Sequence, residues 1–452
     1  MSWLFGTDGI RGVANRSPLT PEELFRLGQA VASLLRDKSG GSKVRLVVGR
    51  DTRLSGPMIE QALVVGALST GADCLSVGVL PTPAIAFLTR HLEADGGAVI
   101  SASHNPFGDN GVKFFSREGT KLPDQWEDEI EALVRAGGGV IRPTGGDVGR
   151  FIAYDRAEAD YLAFCRERVT CDLRGLTVVL DCAHGATARV APKLFRSLGA
   201  RVLTLGVRPN GTNINHKVGA LYPEGLQKKV KAVGAQIGLA FDGDGDRLIT
   251  VDETGEVRDG DYLLAILSRH LAARGRLKGG VVVTTVMANL GLDRSLAEAG
   301  IRLVKTPVGD RYVLDEMRRI GANVGGEQSG HLIFLDHALT GDGMISALQL
   351  LQTMRETGAS LGSLAQCLTK FPQILVNVRV REQPQLEAIP RLGDRVRQME
   401  AALNGLGRIL IRYSGTEPLA RVMIEGDNRE MIEAMAHELA GIIQSEIGAE
   451  RC

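Results

Sequence analysis

Three aspartates separated by single glycines form the sharpest chemical feature of this chain, in the string Phe241-Asp-Gly-Asp-Gly-Asp-Arg247. The carboxylates of Asp242, Asp244 and Asp246 can converge on one hard cation, because glycine lets the backbone fold tightly between them. An EF-hand is the competing motif, with Glu253 at its twelfth position. Arg247, however, stands where that loop needs glycine, and the apolar runs on either side read as strands. A solvated acidic turn is the plain alternative. The spacing favours a catalytic metal, Mg2+ by ligand type, with open positions for phosphate oxygens.

A second constellation is Ile100-Ser-Ala-Ser-His-Asn-Pro106, followed by Asp109-Asn-Gly111 and Lys113. The apolar residues 98–100 deliver the serines to a loop, where strand ends in α/β folds display chemistry. Ser101 or Ser103 can be a nucleophile, His104 can support it, and Lys113 can act as acid, base or phosphate clamp. No G-x-S-x-G elbow occurs, so a hydrolase triad has no support.

Three further stretches carry donors. Arg412-Tyr-Ser-Gly-Thr-Glu-Pro418, with Arg421 behind it, offers forked cations, hydroxyls and turn N–H groups suited to a phosphate. Gly325-Gly-Glu-Gln-Ser-Gly-His331 places Glu327 and Ser329 where they can bind vicinal hydroxyls, with His331 beside them. Phe5-Gly-Thr-Asp-Gly-Ile-Arg-Gly12 adds a glycine-rich turn with one cation, Arg11. No Walker A sequence occurs, which excludes a P-loop nucleotide enzyme.

The elements that must position these loops repeat along the chain. An apolar run, a helical stretch and a second run opening on glycine occur at 44–78, at 178–206 and at 281–305. Each copy reads as strand, helix, strand, which predicts right-handed parallel crossovers. The spacing predicts a helix after Thr20-Pro21, with Glu23 completing a capping box. Glycines 137–139 and the stretch 143–146 read as a linker. From 372 the pattern changes to short alternating strands and one amphipathic helix carrying Ile432, Met435, Leu439 and Ile442. The expected domains are therefore 1–150, 151–255, 256–371 and 372–452.

Composition narrows the partners. Lys plus Arg (53) equals Asp plus Glu (53), so neither nucleic acid nor an anionic membrane is favoured. Aromatic residues are only 4% of the chain, so the cores must be aliphatic, as in parallel sheets covered by helices. No secretory leader or spanning segment is visible, and six scattered cysteines lack any CxxC pair. A reducing cytoplasm is the expectation.

Together and in this order, GTDGIRG at 6–12, SASHNP at 101–106, DGDGDR at 242–247, GEQSGH at 326–331 and RYSGTEP at 412–418 resemble the α-D-phosphohexomutase family over nearly the whole chain. VGRDTR at 48–53 and PTPA at 81–84 agree. The resemblance implies three tandem, similar mixed α/β domains plus a smaller C-terminal α+β domain around a central cleft. It implies Ser103 as a phosphoserine, with Asp242, Asp244 and Asp246 binding Mg2+ together with that phosphate. Lys113 and Arg11 would serve proton transfer and charge stabilisation, with His104 and Arg247 at the catalytic centre. Glu327, Ser329 and His331 would meet the sugar. Arg412, Ser414, Gly415, Thr416 and Arg421 would hold the phosphate that does not react, on a mobile fourth domain acting as a lid. The implied reaction runs through a 1,6-bisphosphate sugar that turns around in the cleft. SASHNP, GEQSGH and residues 336–342 look like the branch acting on glucosamine phosphate for cell-wall precursors. Glucose or mannose phosphate is the nearest alternative. A silent sugar-phosphate binder and a metal phosphatase are further readings, and assembly stays open, a homodimer included.

Overall fold

Thr20 and Glu23 fix the start of the first long helix, Pro21–Lys38. The Thr20 hydroxyl accepts from Glu23 N while the Glu23 carboxylate accepts from Thr20 N, both at 3.4 Å. Leu24, Leu27, Val31, Leu34 and Leu35 are buried along it, as the spacing predicts. The computed structural model describes residues 4–6, 9–137, 140–389, 391–414 and 418–449. They form two units, Met1–Val286 with Ile301–Gln366, and Met287–Gly300 with Cys367–Cys452.

The first unit holds three sheets that share one topology. In the first, β2 (Arg45–Arg50) pairs in parallel with β3 (Asp73–Val79) and β4 (Gly96–Ile100), and β4 runs antiparallel to β5 (Asp109–Ser116). Strands β1 (Ile10–Val13) and β6 (Phe151–Ala153) form its edges. In the second, β7 (Thr177–Asp181) lies parallel to β8 (Arg201–Leu205) and β9 (Ile237–Phe241). There β9 turns back into β10 (Leu248–Asp252), beside β11 (Val257–Arg258). In the third, β12 (Val281–Thr285) lies parallel to β13 (Arg302–Thr306) and β14 (Val324–Gly326), and β14 turns back into β15 (Leu332–Phe334). Strands β4, β9 and β12 are buried at every residue, which is why they read as unbroken runs of small and aliphatic side chains.

The repeat brings the candidate residues to one recurrent point. The connection from the third parallel strand to its antiparallel partner carries Ser103 after β4, the three aspartates after β9, and Glu327, Ser329 and His331 after β14. A polar hairpin tip at the carboxyl end of a buried strand is where an α/β sheet exposes side chains to ligand.

The second unit is a three-stranded antiparallel sheet, β16 (Gln373–Arg379), β17 (Gly407–Tyr413) and β18 (Leu419–Gly426), with β18 central. The helix Arg429–Ile447 buries Ile432, Ala436, Leu439 and Ile443. This is the α+β tail expected from the pattern. The helix Leu290–Glu298, which lies between β12 and β13 in sequence, groups with this unit. Its attachment is a carboxylate: Glu425, 0% exposed, accepts from Asn289 Nδ2 and Leu290 N at 3.1 Å each, and from Arg408 Nε at 2.6 Å. Among the described residues no helix is long and apolar enough to cross a membrane.

Candidate active site

The acidic hairpin between β9 and β10 draws its three carboxylates into one cluster. Oxygens of Asp242, Asp244 and Asp246 lie within 4.8 Å of one another, and all three residues are buried. The two glycines of the motif answer separate needs. A Cβ on Gly243 would stand 2.6 Å from Ser103 O, so this residue admits the serine loop. Gly245 takes φ +74°, a left-handed turn that a side chain would strain.

Backbone contacts lock the hairpin to the neighbouring repeats. Thr82 N donates to Asp244 O at 2.8 Å, and Leu248 N to Gly330 O at 3.0 Å. Gly343 N donates to Gly245 O at 3.0 Å, and Arg247 forms an antiparallel bridge with His331. The acidic hairpin and the loop of Glu327 and Ser329 are thus joined through main chain.

Ser103 meets this cluster from the first sheet. Its hydroxyl donates to Asp242 Oδ2 at 2.6 Å and lies 3.4 Å from His104 Nδ1. Ser101 turns the other way, donating to Asp51 Oδ2 at 2.6 Å, so of the two serines only Ser103 faces the carboxylates. Ser103 itself has φ +49°, a conformation that an ordinary residue keeps only when its surroundings enforce it. Lys113, buried on β5, places Nζ 3.3 Å from Asp244 Oδ2 and 3.7 Å from Asp246 Oδ2. Arg11, on β1, donates to the Asn105 side chain at 3.4 Å.

The electrostatics are those of a crowded acidic site. Burial first, then the charges of Asp246 and Asp244, raise Asp242 well above the usual carboxylate range. Burial acts the same way on Asp246, but Lys113, His331 and Arg247 outweigh it and hold that carboxyl well below the usual range. His104 is pushed down to about 4 by burial and by the Arg247 and Arg11 charges, so it is neutral near pH 7. His331 is raised to about 9: burial opposes its charge, but its Nδ1 contact with Asp246 at 3.5 Å and the charges of Asp310 and Glu327 prevail.

The donor set fits a divalent cation. Asp244 Oδ1 and Asp246 Oδ1 are buried with no hydrogen-bond partner, while Asp242 resists ionising beside its neighbours. One hard cation bound by oxygen would satisfy the first two and relieve the third.

Glu327 accepts from Gly309 N at 3.2 Å and from the Ser329 hydroxyl at 3.3 Å, both residues being only half-buried. His331 points to Asp246 and Asp310. In the second unit Arg412 and Arg421 lie directly opposite in the β17–β18 register, and Arg421 donates to Ser414 Oγ at 3.4 Å. Burial and the facing Arg421 charge lower the Arg412 pKa. Like charges paired across strands are destabilising, so this pair suits an anion. Gly415 and Thr416, expected in the same turn, lie outside the described residues.

Three contributors carry no chemical signal in their local sequence. Thr82 donates its hydroxyl to Asp244 Oδ2 at 2.7 Å, Asp310 stands 3.6 Å from His331 Nε2, and Arg53 lies under the serine loop. Thr82 and Arg53 sit in the PTPA and VGRDTR pieces, which share in the family resemblance without revealing a role.

Comparison with known proteins agrees along the chain. Models of phosphoglucomutase/phosphomannomutase match in order: alpha/beta/alpha domain I over residues 2–138, domain II over 159–255, domain III over 259–371 and the C-terminal domain over 375–442. The chain is 52% identical to the phosphoglucosamine mutase of Syntrophotalea carbinolica, covering 98% of both chains. It is 53% identical to that of Desulforudis audaxviator, again covering 98% of both. A solved structure of a phosphoglucomutase/phosphomannomutase family protein from Burkholderia thailandensis superposes with a TM-score of 0.81 at 27% identity, covering 99% of this chain and 98% of that one. With its motifs on matching hairpins and every domain model satisfied, the chain belongs to the phosphoglucomutase/phosphomannomutase family and is an isomerase of the phosphohexomutase class.

Proposed function

We propose that this chain interconverts glucosamine 6-phosphate and glucosamine 1-phosphate, with Ser103 carrying the phosphoryl group between two transfers. The supporting observation is the Ser103 hydroxyl seated on Asp242 Oδ2, inside the acidic cluster, in a chain about half identical to phosphoglucosamine mutases.

In the first transfer the sugar's free hydroxyl attacks the phosphorus of phosphoserine, the Ser103 O–P bond breaks, and a 1,6-bisphosphate forms. In the second, Ser103 Oγ attacks the other phosphoryl group and the isomeric monophosphate leaves. Lys113, on the cluster, is placed to hold and return the proton exchanged with the attacking hydroxyl. Arg11 and Arg247 offset charge that spreads over the phosphoryl oxygens. Neutral His104 orients the serine and cannot compete as a cation. Asp242, Asp244 and Asp246 would hold Mg2+, which supplies charge neutralisation at the transferring group when bound. Glu327 and Ser329, with His331 beside them, meet the sugar hydroxyls. Arg412, Ser414 and Arg421, with Gly415 and Thr416, hold the phosphate that does not react.

A reducing cytoplasm suits the chain, since Cys74, Cys165, Cys171 and Cys182 are free thiols. The test is turnover of glucosamine 6-phosphate against glucose and mannose phosphates, with inorganic phosphate followed in parallel. Preference for glucosamine phosphate without phosphate release supports the reading. Preference for glucose or mannose phosphate moves the chain to the other branch, and stoichiometric phosphate release makes it a phosphatase.

A further inference from the structure

Beneath the serine loop lies a guanidinium whose every donor is committed. Arg53 is 1% exposed, so substrate cannot reach it. Its Nε donates to Asp51 Oδ2 at 2.8 Å. One terminal nitrogen donates to Pro106 O and, at 2.9 Å, to Asp109 O. The other donates to Ser103 O at 3.0 Å and Asn105 O at 2.9 Å. An arginine has five side-chain N–H donors, and here five acceptors meet them. Four are main-chain carbonyls of the loop that displays Ser103.

The opposite end of the network reaches the same residue. Asp51 Oδ1 accepts from Arg53 N at 2.9 Å, and Asp51 Oδ2 accepts from Ser101 Oγ at 2.6 Å. Ser101 Oγ in turn accepts from Ser103 N at 2.9 Å. Asn215 Nδ2 adds second bonds to Ser103 O at 2.8 Å and Asn105 O at 3.0 Å. Both main-chain polar groups of Ser103 are therefore fixed, the carbonyl by Arg53 and Asn215, the amide by Ser101. That is the enforcement a left-handed φ of +49° requires. The Arg53 charge is matched by Asp51, leaving none for substrate.

We infer that Arg53, acting with Asp51 and Ser101, is the positioning residue of the phosphoryl-transfer step: it holds the left-handed Ser103 so that Oγ points at the acidic hairpin. The inference rests on Ser103 being the phosphoryl carrier. Lysine cannot replace arginine here, because three donors on one nitrogen cannot span acceptors arranged for a planar fork.

The experiment compares wild-type full-length protein with Arg53→Lys. Steady-state kinetics with glucosamine 6-phosphate are normalised to phosphoserine content by intact mass, and thermal unfolding is recorded alongside. The expected result is a fall in kcat per phosphorylated site of about a hundredfold, with KM within about threefold, since a misplacement near 1 Å has that effect. A purely structural arginine would lower the melting temperature and the active fraction but leave kcat per phosphorylated site intact; that result overturns the inference. A rise in KM at constant kcat also overturns it. Should Arg53→Lys not fold, Ser101→Ala decides: a loss of about tenfold in kcat at constant KM supports the inference, and unchanged kcat overturns it. Failure of the carrier reading is distinguishable, because it would appear in the wild type as phosphate mapping away from Ser103.

Discussion

The Ser103 hydroxyl and the Asp242 carboxylate, 139 residues apart in sequence, share a 2.6 Å hydrogen bond. The proposed phosphoryl carrier thus lies directly against the acidic cluster. Ser103→Ala should abolish the phosphate adduct on the peptide 101–113 and reduce mutase turnover by several decades, at about a thousandfold or more. Peptide mass mapping and coupled turnover measure both, and full activity in the variant would remove Ser103 from the mechanism.

Asp244 accepts from the Thr82 hydroxyl and Lys113 on one oxygen and leaves the other buried and unpartnered. Asp244→Asn keeps the shape but removes a charge from the cation site. Turnover should fall about tenfold or more, and half-saturating Mg2+ should rise by a similar factor. A magnesium titration of initial rates, with unfolding curves as the control, checks this; an unchanged titration would reduce the cluster to a buried turn.

Arg421 shares its strand pairing with Arg412 and its hydrogen bond with Ser414. Removing one cation from a charge-assisted phosphate contact should cost about 1.5–3 kcal/mol, about tenfold to a hundredfold or more in kcat/KM. Arg421→Ala should act mainly through KM and release 1,6-bisphosphate, and added bisphosphate should restore much of the rate. Wild-type kinetics with no released intermediate would place the phosphate grip elsewhere.

Asp342 caps the helix Gly343–Thr357, accepting from Met344 N at 2.8 Å, Ile345 N at 3.0 Å and Tyr161 Oη at 2.8 Å. Burial nonetheless raises its carboxyl from 3.8 to about 6. A raised acid binds its proton more tightly in the folded state, so stability falls as pH rises from about 4 to 6 and levels off above. The full effect is about 3 kcal/mol at most. Asp342→Asn keeps the cap acceptor and does not titrate. Measured in EDTA, its melting temperature should gain on the parent between pH 4.5 and 7.5; a pH-independent difference would contradict the assignment.

Much of this was legible because the signals are local. The capping box at Thr20 and Glu23, the buried runs of β4 and β9 and the glycine-spaced aspartates all lie within a few residues of what they determine. Ser103 was separable from Ser101 only by family resemblance, since the pattern of residues fits either. What stayed hidden is set by distant partners. Nothing near Arg53 announces that its acceptors are the carbonyls of Ser103, Asn105, Pro106 and Asp109. The helix Leu290–Glu298 reads as part of the third repeat, yet partners far along the chain, Glu425 on Leu290 N and Cys367 O on the Ser295 hydroxyl among them, tie it to the C-terminal unit. The helix Leu392–Leu403 starts at Arg391, with φ 61°, where no side-chain cap marks it in the sequence.

The proposed nucleophile, cation ligands and sugar contacts occupy the same hairpin of three different sheets, so each set is written in its own short stretch of sequence. Each tip springs from its own pair of strands, while main-chain bonds such as Leu248 N to Gly330 O fasten the second tip to the third. His331 is bound further to the second tip, by its bridge to Arg247 and its contact with Asp246. Freedom therefore concentrates at Glu327, Gln328 and Ser329. Exchanging those three positions between relatives would show whether they select the sugar, with the proposed phosphoryl carrier left unchanged.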